Sequence, residues 1–174
     1  MIAFLWVAQG FAAVPVVPAP PAGSLPELRS RARPLRPALL VAEVVDHAGL
    51  RGVLEHGSYV AGSEREFSGR SAVFNHVTER VLRFGSGAGA TSYLRWLRAH
   101  TAESLGASRS VTAFGLGPEG FIYRPRGCGC HSETPTYLIA WRRGKLALTV
   151  LASGSGASAK TAGELARSLD RATS

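Results

Sequence analysis

The sequence predicts an α+β domain: a single antiparallel β-sheet packed by two amphipathic helices, 90–105 and 158–172. Three observations carry this. The stretch 137–151, YLIAWRRGKLALTVL, holds two β-rich runs joined by a short polar turn at Gly144, which reads as a β-hairpin. Both faces of each run are largely apolar, so the hairpin belongs mid-sheet under a cover. The two windows 90–105 and 158–172 repeat apolar residues at helical spacing, and strands precede and separate them.

In chain order, Met1–Val17 carries no charge and is followed by Pro18, Pro20 and Pro21. Its apolar part is shorter than the roughly 20 residues of a membrane span. It fits the apolar core of a secretory signal, with small residues at Ala12-Ala13 or Ala19 near a plausible cut, but lacks a basic n-region. The alternative is an apolar strand or helix docked on the domain. Val14–Pro37 holds seven of the ten prolines and four arginines, which reads as a linker over 18–37. Beside an anionic lipid surface those arginines add attraction, so membrane contact through the N-terminal segment is expected.

Ala38–Ala48 has Leu39, Leu40, Val44 and Val45 at helical spacing, with Gly49 as a stop, although its β-branched valines also suit a strand. Arg51–Glu66 reads as one or two short strands broken by glycines. Val73–Phe84 alternates as a strand with buried ends and a half-solvated middle. Gly85–Gly89 breaks it and opens the 90–105 helix, where Ala90, Tyr93, Leu94 and Leu97 share a face. Burying that face at about 25 cal/mol per Å2 stabilises by several kcal/mol. Gly106 ends the helix. Val111–Phe114 and Phe121–Tyr123 are short strands, Arg124–Pro135 is loop by composition, and the hairpin follows. The closing helix puts Ala162, Leu165, Ala166 and Leu169 on one face, and Thr161–Glu164 has capping-box spacing.

At 174 residues the chain is of single-domain length, and 45% hydrophobic against 18% charged excludes a disordered chain. The net charge of +8 comes from arginine, with Lys145 and Lys160 the only lysines. A positive field steers polyanions. The arginines are scattered apart from Arg29, Arg31, Arg33 and Arg36, no helix bears a basic stripe, and no aromatic-plus-glycine signature appears, so nucleic acid is a minor expectation.

Several local patterns occur together: Val81–Phe84 running into Gly-Ala-Gly-Ala and a Tyr-Leu helix, Leu116–Phe121, Tyr137–Leu146, and the closing Leu165–Arg171. Over Leu39–Ala172 the chain thereby resembles a class of exported actinobacterial α/β proteins, lipoproteins or extracellular sensor-type domains. The resemblance implies an antiparallel sheet flanked by helices and an extracellular or membrane-attached location, with no catalytic motif to carry over. The lipidated cysteine of the lipoproteins is missing here.

Chemically loaded positions are few. Cys128, Cys130 and His131 stand together; two thiolates and an imidazole supply three ligands for zinc or copper, short of the usual four. In an oxidising compartment the two cysteines instead form a small-loop disulfide, or remain free thiols activated by Arg124, Arg126 and His131. Glu64 and Glu66 share one strand face, where an acid–base pair could stand, but solvent-facing strand charges are the expected reading. No nucleophile elbow surrounds any serine. The glycine loop 85–89 lacks the lysine of a phosphate-binding loop and the dinucleotide pattern, so no cofactor is expected. An exported, non-enzymatic domain binding a small ligand or a protein partner is the leading expectation, with Tyr59, Trp96, Tyr123 and Trp141 as candidate rim aromatics of a cleft between sheet and helices. Trp96 lies off the main stripe of its helix, which also suits a broad apolar face. The other classes are a metal or thiol-redox protein and a basic protein binding polyanions.

Overall fold

The structure, a computed structural model, describes residue 25 and residues 28–105, 108–117, 119–125 and 134–174. In chain order these form β1 (Leu28–Leu35), α1 (Pro37–Ala42), α2 (His47–His56), β2 (Tyr59–Gly69), β3 (His76–Phe84) and α3 (Gly87–Leu105), then β4 (Ser108–Ala113), β5 (Phe121–Pro125), β6 (Thr136–Arg143), β7 (Leu146–Ser153) and α4 (Ala159–Ala172). The strands make one sheet in the order β1-β2-β3-β7-β6-β5-β4, every neighbouring pair antiparallel. The fold is α+β, as the sequence predicts.

The hairpin β6–β7 turns at Gly144, whose φ of 55° suits a residue without Cβ. β7 is the fourth of the seven strands, so its alternation feeds two cores. Leu148 and Val150 face α4, where they meet Ile139 and Trp141 of β6 and Ala162, Leu165, Ala166 and Leu169 of the helix. Ala147 faces the other way with Leu138 and Ala140, towards Leu50 and Leu54 of α2 and Ala90, Tyr93 and Leu94 of α3. The two long helices therefore pack on opposite faces of the sheet. Trp141, with no exposed surface, donates from Nε1 to Asp170 of α4 at 3.0 Å, which satisfies its one polar atom inside the core.

Three stretches differ from the sequence reading. Leu28–Leu35, assigned to the linker on its prolines and arginines, is the edge strand β1; an edge leaves one side of the backbone unpaired and so accommodates Pro34 and outward charges. The helix expected to stop at Gly49 breaks earlier, because the Asp46 carboxylate accepts from the Gly49 amide at 2.8 Å and caps a new helix, α2, which runs on to His56. α4 starts where the sequence predicts, but its reciprocal cap pairs Ser158 with Thr161, three residues before the expected Thr161–Glu164 box: the Thr161 amide donates to Ser158 Oγ at 3.1 Å and the Ser158 amide to Thr161 Oγ1 at 2.9 Å. No helix among the described residues is long and apolar enough to cross a membrane.

The middle of β3 is also more enclosed than its composition suggests. Glu79 is 1% exposed, opposite Arg65 of β2 and Val150 of β7 on the α4 face. Glu79 Oε2 and Arg65 Nε are enclosed with no hydrogen-bond partner among the described residues. Burial pushes the Glu79 carboxyl up to about 7, against the opposing pull of the Arg65 charge. Between the ordinary carboxylate value and about 7 the folded chain holds a proton that the unfolded chain has released. Glu79 therefore makes stability fall as pH rises through that window, by about 3 kcal/mol in all. Urea unfolding at about pH 5 and about pH 8 measures it: Glu79→Gln is expected to lose less stability than the wild type over that interval. Equal losses in the two proteins would show that Glu79 does not titrate there.

Candidate functional site

Antiparallel register lines up side chains across the α1–α3 face of the sheet. One row runs Arg33, Glu64, Arg80, Thr149, Ala140 over β1, β2, β3, β7 and β6. Its neighbour runs Arg31, Glu66, Thr78, Leu151, Leu138 over the same strands. In both rows the chemistry changes from charged on β1 and β2 to apolar on β6, with a threonine at the border, Thr149 on β7 in the first row and Thr78 on β3 in the second. A cavity of about 270 Å3 lies over that border. Its floor is Thr78, Arg80, Leu138, Thr149 and Leu151. Tyr93, Trp96, Leu97, His100 and Thr101 of α3 roof it. Glu43 and Val44, from the connector between α1 and α2, close one side.

At the charged end, Glu64 is 3% exposed and sits between two arginines. Arg33 Nε donates to its Oε1 at 2.7 Å and Arg80 Nε to its Oε2 at 2.6 Å. Glu43 bridges the same pair from the connector, accepting from Arg33 Nη2 at 3.0 Å and Arg80 Nη2 at 2.5 Å. The four charges form a closed ring of zero net charge. Burial alone would push the Glu64 carboxyl up; the hydrogen bonds and charges of Arg33 and Arg80 outweigh it and hold the group below the usual carboxylate range.

The other end of the connector is tied to α3. Asp46 accepts from Trp96 Nε1 at 3.3 Å, and its Oδ2 lies 3.6 Å from His100 Nε2. The His100 ring stacks on Trp96 with centroids 4.7 Å apart, and its Nδ1 lies 2.9 Å from the Trp96 carbonyl oxygen. That oxygen only accepts, so Nδ1 is the protonated nitrogen of this contact. The Gly49 amide, then the Trp96 indole, hold the Asp46 carboxyl below its ordinary value. The segment 43–46 is thus fastened to the sheet through Glu43 and to α3 through Asp46, with Val44 between them against the cavity.

Of the four aromatics named from the sequence, Trp96 lines the cavity. Tyr59 donates its hydroxyl to the Leu35 carbonyl at 2.7 Å and packs edge-on against Phe84. Tyr123 is 2% exposed on β5, and Trp141 lies on the α4 face. The four do not converge. Cys128, Cys130 and His131 lie outside the described residues. Glu64 is not the solvated strand charge that alternation suggested; it is buried and doubly paired. The glycine loop before α3 is taken up by packing: the Gly89 amide donates to Ser86 Oγ at 3.1 Å, and a Cβ on Gly89 would stand 2.2 Å from the Gly57 carbonyl oxygen. Glu43, Arg80, Tyr93 and Thr149 carried no signal of their own, because only the strand register and the helix placement bring them together.

Replacing Glu64 by Gln leaves two partly exposed arginines with Glu43 as their one remaining counter-charge and removes the buried member of the ring. The expected loss in urea-unfolding free energy at neutral pH is about 1.5–3 kcal/mol, as for hydrogen bonds to a charged group. The carboxyl is held down in the folded state, so its contribution is complete above the ordinary carboxylate value and disappears as pH falls through the depressed one. Wild type and Glu64→Gln should therefore converge in acid. A neutral-pH loss below about 1 kcal/mol would place Glu64 with ordinary surface pairs.

No family model matches the chain, and no curated protein matches it. Among solved structures it is similar to the extracellular domain of PknH from Mycobacterium tuberculosis, at 12% identity and a TM-score of 0.55, over 84% of this chain and 84% of that one. At that identity the similarity is one of fold: both chains arrange a sheet and helices in the same way.

Proposed function

We propose that this chain is an extracytoplasmic, non-enzymatic domain that holds a small ligand in the cavity between α3 and the sheet. The observation that carries the reading is the cavity itself: about 270 Å3, walled by sheet, helix and connector, with apolar walls and a few placed polar groups. Its three walls are fastened to one another by the ion ring at Glu43 and the hydrogen bond at Asp46, so the space is held open without an occupant. The extracytoplasmic part rests on the apolar segment Met1–Val17 and on the fold shared with a domain described as extracellular.

A screen of small uncharged fragments by methyl and indole NMR tests the binding reading. Binders should shift the signals of Trp96, Leu97 and Leu138 together, and Leu151→Phe, which fills the cavity from its floor, should weaken them about tenfold or more, equivalent to 1.4 kcal/mol. Shifts confined to other surfaces, or binding indifferent to Leu151→Phe, would contradict it.

A further inference from the structure

The two ends of the cavity differ, and the difference specifies an occupant. Tyr93 and Thr149 line it at 4% and 5% exposure, and neither hydroxyl has a hydrogen-bond partner among the described residues. The enclosed side-chain polar atoms without a partner there are Arg65 Nε and Glu79 Oε2, so both hydroxyls keep access to the cavity. Thr149 is the cross-strand partner of Arg80, and the Tyr93 hydroxyl feels the charges of Arg80 and Glu43. The neighbouring threonines are committed: Thr101 donates to the Leu97 carbonyl, and Thr78 Oγ1 lies 2.9 Å from His76 Nε2. At the opposite end Leu97, Leu105, Leu138 and Leu151 present only hydrocarbon.

The charges around the polar end are already balanced, Arg33 and Arg80 against Glu43 and Glu64. A charged head group would be desolvated with no uncommitted counter-charge to meet it. A hydroxyl, amide or carbonyl needs only a donor and an acceptor, and each free hydroxyl offers both. We propose that the cavity takes a small uncharged amphiphile, its polar group on Tyr93 and Thr149 and its short hydrocarbon tail against Leu97, Leu138 and Leu151. This rests on the ligand-binding reading above and adds the ligand's chemistry. A space of about 270 Å3 equals about nine waters at about 30 Å3 each, which is room for a short-chain molecule.

The test compares 1-octanol, octanoate and octylammonium, three probes of equal chain length, by calorimetry and methyl NMR on the wild-type chain at neutral pH. Octanol is expected to bind about tenfold tighter than either ion, with Leu138 and Leu151 methyl shifts. Tyr93→Phe and Thr149→Val keep the side-chain shape, and each should weaken octanol about three- to tenfold by removing one hydrogen bond. Either ion matching octanol, or octanol indifferent to both variants, overturns the assignment and leaves the cavity as a site for another ligand. Absence of methyl shifts with all three probes overturns it too, and the fragment screen with Leu151→Phe then decides separately whether the cavity binds anything.

Discussion

A carboxylate enclosed like Glu64, at 3% exposure, is costly to desolvate, and the cost is met here by two arginines that reach it from the strands on either side. That demand fixes more than one pair. Arg33 must lie on a strand in register with Glu64, which holds the edge strand β1 against the sheet. Arg80 must stand opposite on β3, which places its guanidinium at the cavity floor. Both arginines retain donors after Glu64 is satisfied, and these capture Glu43 from the α1–α2 connector. One buried charge thereby aligns three strands and pins a connector over the sheet.

The cavity follows from a change of chemistry along the sheet. On the α4 face β6 and β7 present apolar side chains beside the Arg65–Glu79 pair, and the helix fits them closely: Ala162 and Ala166, both without exposed surface, let α4 approach Trp141, Leu148 and Val150. On the opposite face the sheet carries arginines and threonines on one side and leucines on the other. A helix with one uniform face cannot match both. α3 packs tightly at Ala90 and Leu94 near its start, then leaves space where Tyr93, Leu97 and Thr101 pass over Arg80, Thr149 and Leu151. The space lies where packing changes from ionic to apolar, so its own polarity is inherited from the floor beneath it.

The hairpin and the two long helices were legible because each carries its period in full: alternation through Tyr137–Leu151, and helical spacing from Ala90 and from Ala162. The centre of the sheet was legible for the same reason, since a strand apolar on both faces has to be covered twice. β1 was not, because prolines and arginines are shared by linkers and by edge strands, and only its partner distinguishes them. The break at Asp46 was missed because a capping aspartate and a stopping glycine three residues later invite opposite readings of one short segment. The site was least legible of all. Arg33, Glu64 and Arg80 are far apart in sequence, and their meeting depends on two registers that no local pattern encodes. Trp96 was visible as an aromatic off its helix stripe, whereas Tyr93 looked like core and Thr149 like a filler of the hairpin.

The central claim is a space that exists before any ligand arrives and is apolar at one end only. Crystals of the unliganded protein held under xenon pressure test it directly, since xenon occupies apolar cavities and leaves hydrated ones. The account predicts xenon among Leu97, Leu138 and Leu151, with ordered water on the Tyr93 and Thr149 hydroxyls. A collapsed interface without xenon, or xenon seated beside Arg80, would contradict it.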